Sequence, residues 1–101
     1  MSVNQHTNFP AVVRFLTEAE GGRSTDPLPG ICPQMQVGHL YTSCMIYPVQ
    51  EANILGRGET IEVSIIPMFY EHVGTAMSQM SDFQLYEGSH IIATGRFLNK
   101  R

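Results

Sequence analysis

Four histidines and two cysteines are the side chains of this chain that could ligate a metal or carry out nucleophilic chemistry. A metal site needs such groups to converge at ligand distance. His6, His39, His72 and His90 are scattered along the chain, and neither Cys32 nor Cys44 has a Cys-x-x-Cys neighbour. No metal and no other cofactor is expected. A cysteine nucleophile would require a histidine beside Cys32 or Cys44 and an orienting acid, and the sequence suggests neither an oxyanion hole nor that acid. Cys44 falls on the inward face of a candidate strand, where a thiol behaves as a small apolar group. Cys32 lies in a loop and is the one candidate for catalysis; the expectation is nonetheless that the chain is not an enzyme.

Arg23 is the more informative polar residue, because it follows Gly21 and Gly22. Adjacent glycines permit positive φ or a close backbone approach, and the guanidinium that follows could fork onto a phosphate or a carboxylate. The competing reading is an internal ion pair with Glu18, Glu20 or Asp26 that holds the loop in shape. Pro27, Pro29 and Pro33 exclude regular structure from the same stretch, so Glu18 to Gln34 reads as an ordered loop. At about seventeen residues it exceeds an ordinary connection.

The elements around that loop are short and apolar. Residues 11–17 place Ala11, Val13 and Phe15 on one face at the strand period of two. Met35 and Val37 alternate with Gln34 and Gln36, and Leu40, Thr42, Cys44 and Ile46 alternate with Tyr41, Ser43, Met45 and Tyr47. Ile61, Val63 and Ile65 mark a half-buried strand that Pro67 closes. Phe83 and Leu85 point inward in a fifth strand, Glu87-Gly88-Ser89 turns, and Ile91, Ala93, Gly95 and Phe97 line one face of a sixth. Residues 68–81 hold Met68, Phe69, Tyr70, Val73, Met77 and Met80, either as a short helix or as a loop, and either as a cap on the core or as an adaptable partner-binding patch. Six short strands joined by Gly- and Pro-rich connections indicate an all-β chain closed into a small six-stranded antiparallel barrel, which removes exposed edges.

Several motifs carry a resemblance to a known family. Glu20-Gly21-Gly22-Arg23 followed by Gly30-Ile31-Cys32-Pro33-Gln34, then Gly58-Glu59-Thr60-Ile61, Phe83 through Gly88, and Ala93-Thr94-Gly95 resemble the third, C-terminal β-barrel domain of bacterial elongation factor Tu over residues 11–98. The resemblance implies that barrel topology. It also implies that the long loop belongs to a surface that contacts tRNA and neighbouring domains in the elongation factor. Two basic positions differ: Cys32 stands where the family has arginine, and Gly88-Ser89-His90 replaces a Gly-Gly-Arg turn. No Gly-x-x-x-x-Gly-Lys-Ser/Thr loop is present, so no nucleotide is expected to bind.

Composition bounds the remaining choices. Hydrophobic residues are 43% and charged residues 15%, the balance of a folded domain. A formal net charge of −3 has the wrong sign for a general nucleic-acid binder. Residues 1–8 read as a frayed polar segment and 9–101 as one domain, with no signal peptide or membrane span, so a cytoplasmic location is the default. The expected function is a non-catalytic module that binds a protein partner, as a translation-factor mimic or an immunity-type protein, through Gly21, Gly22, Arg23, Gln34, Phe69, Tyr70 and His90. One alternative is binding of tRNA or other RNA through Arg14, Arg23, Arg57, Arg96, Lys100 and Arg101. The other is an enzyme using Cys32.

Overall fold

The computed structural model describes residues 8–98. The expectation for the segment 1–8 falls almost wholly outside the described residues, as do Lys100 and Arg101. Six antiparallel strands form a closed barrel: β1 (Phe9–Phe15), β2 (Gln34–Val37), β3 (Leu40–Pro48), β4 (Thr60–Pro67), β5 (Asp82–Glu87) and β6 (His90–Phe97), with one helix, α1 (Tyr70–Met77). The order around the ring is β1-β4-β3-β2-β5-β6. The helix is therefore the outcome for residues 68–81.

Strand alternation produces the core directly. Ala11, Val13 and Phe15 from β1 meet Met35 and Val37 from β2, Cys44 and Ile46 from β3, Val63 and Ile65 from β4, and Phe83 and Leu85 from β5. Two residues depart from the expected faces. Leu40 is exposed rather than inward, because β3 pairs with β4 only from Cys44 onward and Leu40 sits at the turn that β2 and β3 share. In β6, Ile92 is buried while Ile91 is only half-buried, because the ladder slips between Leu85 opposite Ala93 and Tyr86 opposite Ile91. That bulge inserts one residue and re-aims the side chains beside it.

Ring order explains why two connections are long. β1 and β2 lie diametrically opposite, as do β4 and β5, so residues 16–33 must cross one end of the barrel and residues 68–81 the other. At the first end Pro27 and Leu55 are buried as a plug, the Leu55 N–H donating to the Pro27 carbonyl (2.8 Å). At the second, Val73 and Met77 of α1 close the core. The adjacent pairs β2–β3 and β5–β6 need only tight turns, at Gly38-His39 and Gly88-Ser89.

Gly95 provides packing space. A Cβ there would stand 2.4 Å from the Phe83 ring and 2.7 Å from the Val12 carbonyl oxygen. The Phe83 ring lies 4.6 Å from Phe97, which in turn packs against Phe9. Gly95→Ala is expected to destabilise the barrel by about 1–3 kcal/mol through overpacking. Urea unfolding measures this, and an unchanged midpoint would show that the ring moves aside without cost.

Candidate functional site

The antiparallel path alternates connections between two ends, and this divides the expected site residues into two groups. Gly21, Gly22, Arg23, Gln34 and His90 gather around the end that residues 16–33 cross, whereas Phe69 and Tyr70 lie at the end that carries α1.

At the first end the two glycines have separate tasks. Gly21 takes φ 95° and its N–H donates to the Glu18 carbonyl, ending a single turn of 3-10 helix (Glu18–Glu20). Gly22 passes so close to β1 that a Cβ would stand 2.3 Å from the Leu16 carbonyl oxygen. Arg23 then reaches across to the β5–β6 hairpin, where its Nη1 pairs with Glu87, while Nε and Nη2 donate to the Thr25 carbonyl and hydroxyl at 3.3 and 3.2 Å. Its partner is thus none of Glu18, Glu20 and Asp26. Glu87 is paired along the strands with His90, and Gln34 stands opposite Tyr86, so these polar residues share the end of β5.

The other two nearby carboxylates already have arginines. Arg14 forks onto Glu20 with both nitrogens at 3.1 Å, and the Thr17 N–H donates to the same carboxylate at 2.8 Å. These contacts hold the Glu20 carboxyl down at about 2. Arg57 donates from Nε to Asp26 at 2.8 Å and from Nη1 to the Arg23 carbonyl at 2.6 Å, tying the connection of residues 49–59 to the long loop. With Arg96 on Asp82 (2.9 Å), the four arginines of the described residues all pair with carboxylates. Individually such exposed pairs contribute only about 0–1 kcal/mol. Together they place a carboxylate beside each of these four guanidiniums.

At the second end, apolar side chains face outward. Met68 and Phe69 are 49% and 59% exposed, and Leu40 at the start of β3 is 52% exposed. The Met68 N–H donates to the Ser43 carbonyl (2.8 Å), extending β4 along β3 towards the end of the barrel where β3 begins at Leu40. Tyr70 turns inward instead and packs on Phe9 at 6.3 Å. Residues 68–81 therefore divide, Val73 and Met77 capping the core while Met68 and Phe69 remain on the surface.

A hollow of about 750 Å³ opens on the outer face of the barrel, across β2, β5, β6 and β1. Sequence reading did not single it out, since most of its residues are the outward members of each alternation. A smaller hollow of about 340 Å³ lies under residues 49–59, where Glu51, Glu59 and Glu62 line it with Ile54 and Ile61. Among the described residues no three His, Cys, Asp or Glu side chains converge to hold a metal, and no helix is long and apolar enough to cross a membrane. Cys32 is exposed in the loop, and Cys44 is buried with its thiol donating towards the Thr42 carbonyl. No known family model and no curated protein matches the chain.

Burial pushes the Cys44 thiol up to about 12. In the native protein a neutral-pH alkylating reagent is expected to modify Cys32 and to reach Cys44 only after denaturation. Mass spectrometry of the native product reads this, and two modifications without denaturant would contradict the burial. The lowered Glu20 carboxyl stabilises the fold above its ordinary value of 4.5, and that contribution is lost as pH falls towards about 2. A gap in urea midpoint between the wild type and Glu20→Gln should accordingly close across that window; a gap independent of pH would show that the charge on Glu20 has no part in it.

Proposed function

We infer that this barrel is a non-catalytic protein-binding module whose contact surface is the apolar end formed by Leu40, Met68 and Phe69. The exposure of these three large side chains carries the reading, because a surface of this kind gains more from being covered by a partner than from remaining in water. Methionine adds adaptability, and an aromatic ring beside it is a common interface anchor. The resemblance to the third barrel domain of elongation factor Tu supports the same class of function. A single copy of such a domain acts by occupying a site meant for the whole factor, or by covering a toxin as an immunity-type protein.

Arg23 enters this reading as a loop residue, being engaged by Glu87 at the end of the barrel away from Phe69. The RNA reading has less in its favour: Arg14, Arg23, Arg57 and Arg96 each face a carboxylate, and the chain carries a net charge of −3.

The test is capture from native lysate on the immobilised protein, with and without RNase, compared with the double variant Met68→Ser/Phe69→Ser. Both positions are exposed, so the melting temperature should shift little, in keeping with about ±0.5 kcal/mol for surface changes. A stoichiometric protein that survives RNase and is lost with the variant is the expected result. Retention by the variant, or loss of the captured material on RNase treatment, would overturn the assignment.

A further inference from the structure

The geometry points to a second binding site, for a neutral oligosaccharide, in the hollow on the outer face of β2, β5, β6 and β1. This site lies on the wall of the barrel and does not rest on the protein-binding reading of its apolar end. Its volume of about 750 Å³ falls within the range of small-molecule sites, roughly 300–1,000 Å³.

The polar groups around it are hydrogen-bonded to one another. The Tyr86 hydroxyl donates to the Gln84 side-chain oxygen at 3.1 Å. The Tyr41 hydroxyl donates to that of Gln36 at 3.3 Å, and the Gln36 amide nitrogen donates to the Gly38 carbonyl at 3.2 Å. The two tyrosine rings support each other edge to face, with centroids 6.1 Å apart. Arg96 and Asp82, opposite one another on β6 and β5, are joined at 2.9 Å. Planar amides and a guanidinium–carboxylate pair thus present donors and acceptors side by side.

Charge selects the ligand class. The guanidiniums on the rim, Arg14 and Arg96, are each neutralised by a carboxylate, so an anion would have to displace Glu20 or Asp82 before gaining anything. A cation would meet those same guanidiniums. A neutral ligand that both donates and accepts hydrogen bonds avoids both costs. Vicinal hydroxyls supply that pattern, matching Gln84 and the facing Thr94, and the C–H faces of sugar rings suit the apolar parts of the lining, Val12, Met80 and the Tyr86 ring.

Titration of the isotopically labelled protein with maltohexaose, cellohexaose, chitohexaose and xylohexaose, followed by amide NMR, tests this. At least one is expected to shift the signals of Gln36, Gln84, Thr94 and Arg96 with a dissociation constant in the millimolar range or tighter. Gln84→Ala should weaken that binding about three- to tenfold, as should Gln36→Ala. Tyr86→Phe, which keeps the ring and removes the hydroxyl that orients Gln84, should weaken it to a smaller extent, and the spectra themselves show whether each variant is folded. Absence of shifts with all four sugars overturns the proposal, as do shifts confined to another face. An oligouridine that occupies these residues in a steeply salt-dependent manner, where the sugars do not, also overturns it.

Discussion

Ring closure is the constraint from which the other features of this molecule follow. Six strands of these lengths bury their inner faces only if β1 completes the ring between β4 and β6. That order places β1 opposite β2 and β4 opposite β5, so two stretches of chain must cross the ends of the barrel. Crossing segments would leave backbone groups and apolar ends unsatisfied unless they plugged what they crossed. One became a proline-rich loop with Pro27 buried, pairing Gly30 and Ile31 with Ile46 of β3; the other became α1.

The electrostatics serve the same closure. Arg14, Arg23 and Arg57 come from β1, the long loop and the β3–β4 connection, and each reaches a carboxylate on a different segment at that end of the barrel. Arg57 is the most connected of them, joining Asp26 and the Arg23 carbonyl while Gly58 beside it donates to Phe15. Arginine suits this task because its planar fork spans two acceptors at once. The result is a surface on which the arginines of the described residues are locally balanced by carboxylates.

Much of this was legible in the residue pattern, for reasons that can be named. Period-two alternation in β1, β2, β4 and β5 reports burial directly, since one face of a closed barrel is always dry. The order of the long loop was legible from its own stiffeners, Pro27, Pro29 and Pro33. The slip in β6 was not, because Ile91 and Ile92 are equally apolar and only the partner strand decides which is turned inward. Nor was the choice of Glu87 for Arg23, a contact across 64 positions that no local pattern announces. The helix was ambiguous because Gly74, a poor helix former, occupies its centre; the structure uses that glycine to admit the Tyr70 ring, which a Cβ would approach to 2.3 Å. The outer-wall hollow was illegible for a different reason, being assembled mostly from outward residues of five strands whose adjacency exists only once the ring is closed.

The place of β1 between β4 and β6 also has a temporal side. Phe9–Phe15 is synthesised before either of its sheet neighbours, since Thr60–Pro67 follows some fifty residues later and His90–Phe97 is the last of the six strands. This strand must therefore wait, unpaired, until both neighbours have been made. Contacts of such long sequence separation are slow to form. For this fold the vulnerable interval is biosynthesis, when β1 is available to a chaperone or to another nascent chain, and the finished barrel erases that exposure by enclosing the strand on both sides.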